Sequence, residues 1–210
     1  MSALVAVAQT GHVVSFPTDT VPALAAKPEQ ADQIFALKQR SYEKPLILMG
    51  ANAEQLWPFI NTAAMQTDDT ALQAVFTEWQ LLAQRFWPGS LTLVLPAQPD
   101  WSNPLNPQNP KTLGIRVPNQ PIALDILRQT GPLATTSANL SGQPALETLS
   151  AIAATFPDVY VLDLKVQPMA SGQPSTVLQW QPSGWRVLRL GAIRSTDLPQ
   201  SVQDSLVKSS

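Results

Sequence analysis

The sequence predicts one domain of the α/β class, of mixed α+β type, in which helices flank a sheet of mixed parallel and antiparallel strands. Apolar segments of strand length alternate with segments of helical periodicity over most of the 210 residues. A hairpin pattern near the C-terminus indicates that some strands run antiparallel. Apolar residues make up 44% of the chain, which is enough for one full hydrophobic core.

The first elements are predicted between residues 13 and 50. The apolar run 13–16 is a short strand that ends at Pro17, so the polar residues 18–20 fall at a strand exit. Pro28 suits a first helical turn, and apolar residues follow at helical spacing up to residue 38. The run 45–50 is compact and apolar, as in a buried strand, although periodicity alone does not exclude a short helix.

The middle of the chain predicts a second helix and two strands separated by a loop. Apolar residues mark one face of a helix over 72–86, and a strand follows at 91–95. Five prolines fall between residues 96 and 112, among asparagine, glutamine and serine, and this composition predicts an exposed loop. Residues 113–117 resume as a strand.

The last part of the chain contains two more helix and strand pairs and a closing hairpin. We predict helices at 121–127 and 151–156 and strands at 132–136 and 159–164, with the hairpin strands at 175–179 and 185–190 around a turn at 181–184. The domain is predicted to span residues 1–194. A polar, mobile C-terminal tail is expected at 195–210.

Composition restricts the chemistry. There is no cysteine and one histidine, His12, so disulfides, thiolate metal sites and most imidazole chemistry are excluded. No apolar run has the length of a membrane span, and residues 1–10 lack the pattern of a signal peptide, so we expect a cytoplasmic protein. The formal net charge of −2 argues against a surface built wholly to attract nucleic acid.

Four short polar segments fall at predicted strand or helix ends, where ligand sites of α/β sheets are common. They are PTDT at 17–20, KQR at 38–40, SAN at 137–139 and STV at 175–177. A lysine and an arginine two residues apart, beside hydroxyl and amide groups, suit a polyphosphate. The phosphate-loop and Rossmann glycine patterns are both absent from the sequence.

Each of these residues also has a purely structural interpretation. Lys38 and Arg40 suit the C-terminus of any helix, and Thr18, Asp19 and Ser137 suit caps or turns. Arg116 interrupts an apolar strand, where a charge requires either a partner or a cleft. Spacing alone therefore leaves the function open.

The ordered set of motifs resembles the YrdC-like threonylcarbamoyl-AMP synthases over residues 13–193. The matching segments, in order, are SFPTDTVPAL, IFALKQRSYEKPLIL, SLTLVLPA, LGIRVPNQP, GPLATTSANLSGQP, PSTVLQW and RVLRLGAI. The resemblance implies a twisted mixed sheet with a concave cavity that holds ATP and L-threonine together. It is to the short, single-domain form of the family.

The resemblance also implies site residues and an activity. The implied activity is synthesis of L-threonylcarbamoyl-AMP from L-threonine, bicarbonate and ATP, with release of pyrophosphate, for N6-threonylcarbamoyladenosine in tRNA. Lys38 and Arg40 are the implied catalytic residues, and we expect both at the rim of a cleft rather than in the core. The implied ATP-binding residues are Lys38, Arg40, Lys44, Thr112, Ser137, Asn139, Arg189 and Glu147 or its neighbour Thr148. The implied threonine-binding residues are Thr20, Arg116 and Ser175.

Some features of the implied function stay open. We expect Mg²⁺ to be held mainly by ATP phosphates and water, because the sequence shows no carboxylate cluster for a metal cage. Proteins that transfer the threonylcarbamoyl group are expected partners, and direct contact with tRNA is left open. The family usually reads PTETVYGLGA where this chain has Pro22, Ala23 and Ala25, and Ser41 and Met49 replace a proline and a histidine. The alternatives are an RNA-binding module of the same fold, or a paralogue that uses ATP with another carbamoyl substrate.

Overall fold

The computed structural model describes residues 1–62, 70–164 and 168–207, with side chains described up to residue 204. Over these residues the chain forms a nine-stranded sheet with the strand order β7-β1-β2-β6-β3-β5-β4-β8-β9. The pairs β1–β7, β3–β5 and β4–β8 are parallel, and the other neighbours are antiparallel. The predicted mixed sheet with flanking helices is therefore confirmed.

The helices and strands follow most of the predicted segments. The strands are β1 Val14–Phe16, β2 Ala23–Ala26, β3 Ile47–Met49, β4 Leu91–Pro96, β5 Thr112–Arg116, β6 Leu133–Ser137, β7 Tyr160–Val161, β8 Thr176–Gln181 and β9 Gly184–Arg189. The helices are α1 Ser2–Gln9, α2 Ala31–Leu37, α3 Thr70–Phe86, α4 Pro121–Thr130, α5 Leu149–Thr155 and α6 Gln200–Val207, with short 3-10 turns at Pro28–Gln30, Trp57–Phe59 and Ser195–Asp197. The predicted strand at 159–164 is reduced to the two residues of β7.

Two elements in the N-terminal part of the chain were not predicted, because neither has a strong local signal. α1 has no side-chain N-cap, and β2 consists of ALAA, in which alanine has little preference for strands. β2 forms because it pairs with β1 on one side and β6 on the other. Its four residues are all buried, with Leu24 and Ala26 in one core cluster and Ala23 and Ala25 in the other.

The sheet separates two hydrophobic clusters. One face packs against α2, α3 and α5, and its largest fully buried side chain is Trp79. On the opposite face, α1 and α4 cover the strands β1, β2 and β6 through Leu4, Ile126 and Leu127. The rest of that face, over β3, β5, β4 and β8, forms the floor of a cavity.

The proline-rich segment is a loop, as predicted, but the expectation that it is exposed is wrong in part. Leu105 is fully buried in the core, and its carbonyl accepts a hydrogen bond from the Leu46 amide at 2.8 Å. Asn103 is also fully buried, and its Nδ2 donates to the carbonyls of Pro110 and Thr112, each at 2.9 Å. Side-chain to main-chain hydrogen bonds thus order a segment that has little apolar area of its own.

The expectation of a mobile tail is also wrong over residues 195–207. These residues form a 3-10 turn and α6, which packs on β9. Leu198 and Val202 are buried in the main core cluster. The helix was missed because its apolar residues are sparse and it depends on packing against β9.

Candidate functional site

The cavity has a volume of about 460 Å³ and lies on the face of the sheet that α1 and α4 leave uncovered. Alternate residues of each central strand form its floor, because successive side chains of a strand point to opposite faces. On β4, for example, Thr92 and Val94 line the cavity, whereas Leu91 and Leu93 belong to the core beneath. Gly114 leaves space in the floor, since a Cβ there would lie 2.8 Å from a methyl carbon of Ile47.

The structure brings seven of the predicted site residues together around this cavity and leaves four outside its lining. The lining residues are Thr20, Arg40, Thr112, Arg116, Ser137, Ser175 and Arg189. Those outside it are Lys38, Lys44, Asn139 and Glu147; Lys44 and Glu147 are exposed. Thr148, the alternative to Glu147, caps α5 by accepting from the Ala151 amide at 3.2 Å.

Lys38 was expected at the rim of the cleft, and this expectation is wrong, because the residue is fully buried. Its Nζ donates to the main-chain carbonyl of Ser137 and to Asn139 Oδ1, the latter at 2.9 Å. Asn139 Oδ1 also accepts from the Ser137 hydroxyl at 2.6 Å. Lys38 therefore fixes the end of β6 from behind, and through it the position of Ser137 in the cavity wall.

The environment of Lys38 opposes its positive charge. Burial, together with the nearby charge of Arg40, lowers the pKa of Lys38 from its ordinary value of 10.5 to about 7. A neutral amine retains two hydrogens, which is enough for both hydrogen bonds. The residue can therefore hold Ser137 and Asn139 in either charge state.

Arg116 lies at the end of β5, and all three of its nitrogens are engaged. Nη2 forms a salt bridge with Asp19 at 2.7 Å, Nη1 donates to Thr20 Oγ1 at 2.9 Å, and Nε donates to the Gly89 carbonyl at 3.0 Å. Burial lowers the pKa of Arg116, and the charge of Asp19 and its hydrogen bond act in the opposite direction. The prediction that Asp19 and Thr20 lie at the exit of β1 is thus confirmed. The structure adds that both contact the buried Arg116.

Arg189 reaches the cavity from β9 and holds Ser175. Its Nε donates to the Ser175 carbonyl at 3.0 Å and its Nη2 to the Ser175 hydroxyl at 3.2 Å. The same hydroxyl shares a 2.8 Å hydrogen bond with Thr92 of β4. Gly191 allows this arrangement, because a Cβ there would lie 2.1 Å from the Pro174 carbonyl oxygen.

The site is strongly cationic. Arg40 donates only to neutral carbonyls, from Nε to Lys44 at 2.7 Å and from Nη2 to Pro45 at 3.1 Å. Burial lowers the pKa of Arg40 and the charge of Arg189 lowers it further, so the two arginines repel one another across the cavity. Among the described residues, neither forms a salt bridge with a carboxylate. An anion between them would relieve this repulsion.

Sequence reasoning missed the contribution of the proline-rich loop. Asn106, Gln108 and Asn109 line the cavity, and Asn106 Nδ2 donates to Thr112 Oγ1 at 3.1 Å. The asparagine and glutamine content of the loop was visible in the sequence, but nothing local indicated that it folds over the sheet. Ala23 and Met49, two of the departures from the family pattern, also line the cavity.

Two classes of feature are not found in the described part of the chain. Residues 1–62, 70–164 and 168–207 include no helix that is long and apolar enough to cross a membrane. The same residues include no group of three or more histidine, cysteine, aspartate or glutamate side chains placed to hold a metal ion.

Comparisons with known proteins give a consistent family. A family model for Sua5, YciO and YrdC, described as "Telomere recombination", matches residues 6–191. A threonylcarbamoyl-AMP synthase of Klebsiella pneumoniae is 35% identical over 160 residues, which cover 74% of this chain and 78% of the relative. A Bacillus subtilis protein of the same name is 33% identical over 82% of this chain, which spans 46% of that relative.

A solved structure agrees with the sequence comparisons. The crystal structure of P. abyssi Sua5 in complex with L-threonine superposes with a TM-score of 0.79 at 27% identity. The superposition covers 94% of this chain and 56% of the Sua5 chain, so this chain spans about half the length of that protein. Because the family model matches residues 6–191 and a relative over three quarters of whose length the chain aligns is 35% identical, the chain belongs to the Sua5/YciO/YrdC family.

Proposed function

We propose that this protein synthesises L-threonylcarbamoyl-AMP from L-threonine, bicarbonate and ATP, releasing pyrophosphate, for N6-threonylcarbamoyladenosine modification of tRNA. The observation that carries the proposal is the cavity itself. Arg40 and Arg189, which form no salt bridge with a carboxylate among the described residues, face the same space as a third arginine, Arg116, that is already paired. The relatives named threonylcarbamoyl-AMP synthase, and the Sua5 complex with L-threonine, support the assignment of substrates.

The geometry supports a division of the cavity between the two substrates. Arg40, Arg189 and Ser137 offer charge and hydrogen bonds to the ATP phosphates. Thr20, Arg116 and Ser175 are the proposed contacts of L-threonine, where the remaining N–H groups of Arg116 suit its carboxylate. Thr112 remains a proposed nucleotide contact because it lines the cavity. Exposed Lys44 and Glu147 receive no such support from the geometry.

The proposed reaction needs no enzyme nucleophile. The threonine amine attacks the carbon of CO2 and loses a proton, or attacks bicarbonate with loss of a water molecule, and the carbamate oxygen then attacks the α-phosphorus of ATP. The bond from that phosphorus to the bridging oxygen breaks, and pyrophosphate leaves. The protein positions the substrates and stabilises the negative charge of the phosphates. Arg40 and Arg189 do so directly, and Lys38 does so by fixing Ser137.

We also propose that Mg²⁺ enters with ATP. Among the described residues that line the cavity, Glu43 is the one carboxylate, which fits an ion held mainly by phosphates and water rather than by a protein cage. When bound, the ion would neutralise phosphate charge. A role in tRNA modification would place the protein in the cytoplasm, with threonylcarbamoyl-transferring proteins as partners.

A paralogue that uses ATP with another carbamoyl substrate is a second candidate, favoured by one observation. Ala23 and Met49 stand in the cavity wall where the family pattern has a glycine and a histidine. A bulkier, less polar wall would alter the fit of the amino acid. Replacing L-threonine by L-serine or L-valine in the assay separates the two candidates, because turnover independent of threonine would favour the paralogue.

The test is synthesis by the purified protein. ATP, Mg²⁺, bicarbonate and L-threonine are incubated with the protein, and pyrophosphate and the carbamoyl adenylate are followed by chromatography and mass spectrometry. We expect both products to require threonine and bicarbonate. RNA binding without any turnover would instead favour a binding module.

Variants of the two unpaired arginines test the site. Arg40→Gln and Arg189→Gln should each raise the KM for ATP roughly tenfold or more, the size expected for a lost charge-assisted hydrogen bond. Arg186→Gln is the matched control, because Arg186 lies on β9 like Arg189, is exposed and is not part of the cavity lining. Near-normal ATP kinetics in both folded cavity variants would contradict the proposed site.

A further inference from the structure

The three arginines of the cavity differ in the charge of their partners. Arg116 is 2% exposed and has one carboxylate partner, Asp19, at 2.7 Å. Among the described residues, Arg40 and Arg189 donate to carbonyl and hydroxyl oxygens, those of Lys44, Pro45 and Ser175. The Arg116 end of the cavity is therefore close to neutral, whereas Arg40 and Arg189 form no salt bridge among the described residues; the carboxylate of Glu43 also lines the cavity but pairs with neither of them.

This difference affects how anions distribute in the cavity. A polyphosphate gains most where two arginines lack counterions, and little at an arginine that a carboxylate has already neutralised. A guanidinium has five N–H groups, of which three are engaged at Arg116, so one remains on each terminal nitrogen. These two remaining N–H groups suit a ligand that has a single negative charge shared by two oxygens, such as an α-carboxylate.

We propose that Asp19 is a specificity-determining and positioning residue, which orients and neutralises Arg116 so that this end of the cavity accepts an α-carboxylate and excludes polyphosphate. The proposal rests on the proposed function for the identity of the two substrates. Asp19 does not itself contact the reacting atoms in this scheme. It acts through Arg116, a group for which the two substrates could otherwise compete.

The backbone around Asp19 is held independently of its carboxylate. Thr18 Oγ1 donates to the Val21 carbonyl at 2.7 Å and accepts from the Thr20 amide at 3.2 Å, which fixes the turn after β1. The carbonyls of Asp19 and Thr20 accept from the amides of Ser171 and Gly172, each at 3.0 Å. Asp19→Asn therefore removes the charge and leaves the contacts that shape the turn.

The experiment measures competition between inorganic pyrophosphate and L-threonine by isothermal titration calorimetry. On the unmodified protein we expect saturating L-threonine to change the Kd of pyrophosphate by less than about twofold, because the two ligands occupy separate ends. On Asp19→Asn we expect L-threonine to weaken pyrophosphate binding roughly tenfold, because pyrophosphate then reaches Arg116. Steady-state kinetics of the same variant at saturating ATP should show a roughly tenfold higher KM for threonine, because the ATP phosphates then compete for Arg116.

Two further variants distinguish this role from a structural one. Asp19→Glu retains the carboxylate and should restore independent binding of the two ligands. Asp197→Asn is the matched control, because it removes a carboxylate from the exposed Arg194–Asp197 pair, which does not line the cavity. A loss of stability alone would lower both affinities together and would not create competition.

Several outcomes would overturn the proposal. Competition between pyrophosphate and L-threonine in the unmodified protein would do so, and this result needs no variant if Asp19→Asn fails to fold. Independent binding in folded Asp19→Asn, with an unchanged KM for threonine, would also do so. If L-threonine does not bind the unmodified protein at all, the proposed function is wrong, and so is the assignment of the threonine carboxylate to Arg116. If only the role of Asp19 in separating the two ligands is wrong, threonine binding and synthesis are still expected.

Discussion

The buried lysine leads to a prediction about stability and pH. Lys38 is fully buried, and its pKa is lowered to about 7, whereas in the unfolded chain it returns to about 10.5. Between these two values the unfolded state binds more protons than the folded state. The free energy of unfolding should therefore rise with pH from about 7 to about 10.5, and the contribution should be constant below that window.

The magnitude follows from linkage. Once the folded-state amine has lost its proton, the increase in the free energy of unfolding approaches about 1.4 kcal/mol per pH unit. Partial relaxation of a buried site reduces this limit, so between about pH 7.5 and about pH 9.5 we expect a gain of roughly 2 kcal/mol. Lys38→Met removes the titrating group and keeps most of the length of the side chain, so it should lose this gain.

The assay is urea unfolding, followed by circular dichroism, at a series of pH values from about 7 to about 9.5. The quantity compared is the difference in unfolding free energy between the unmodified protein and Lys38→Met, which cancels the titration of groups common to both. Lys111→Met serves as a control because Lys111 is exposed and lies outside the cavity lining. Parallel pH profiles for the unmodified protein and Lys38→Met would refute the reasoning.

Two substitutions test packing described above. Gly191→Ala should destabilise the protein by about 2–3 kcal/mol in urea unfolding, because its Cβ would overlap main-chain atoms of Pro174 and Ser175. The control is Gly142→Ala, which should cost only about 1 kcal/mol, because Gly142 has a φ of 84° but open space around the Cβ. Equal costs for the two variants would contradict the steric argument. Leu105→Ala should cost about 2–4 kcal/mol because it leaves a cavity in the core, whereas Leu81→Ala, at an exposed position, should stay within about 0.5 kcal/mol. A Leu105 variant as stable as the Leu81 variant would show that the proline-rich loop does not belong to the core.

Local sequence signals predicted the elements that depend on local interactions. Pro88-Gly89 marked the end of α3, and the segment 181–184 marked the turn between β8 and β9. The polar residues after β1 and at the end of β6 were placed at strand exits, because alternation of apolar and polar segments is visible along the chain.

Features that depend on distant contacts could not be predicted in the same way. The four residues of β2 form a strand because β1 and β6 satisfy both of their edges. Lys38 was expected at a rim because a charge at a helix end usually meets solvent, and its burial follows from a carbonyl and an amide 99 and 101 residues away. The cavity contribution of Asn106 likewise depends on a loop that folds across the sheet.

The β8–β9 hairpin is the last part of the sheet to leave the ribosome, yet it supplies Arg189, and the residue just before it is Ser175, in the cavity wall that Thr20 begins. A nascent chain that ends before this hairpin has the floor strands β3, β5 and β4 but lacks the floor strand β8 and one side of the binding site. Ligand affinity should therefore be absent from chains that end before the hairpin and should appear only after the hairpin has been made. Because such binding stabilises only the fold that includes β8 and β9, saturating ligand should protect chains with the hairpin from proteolysis and leave chains truncated before it exposed to proteolysis.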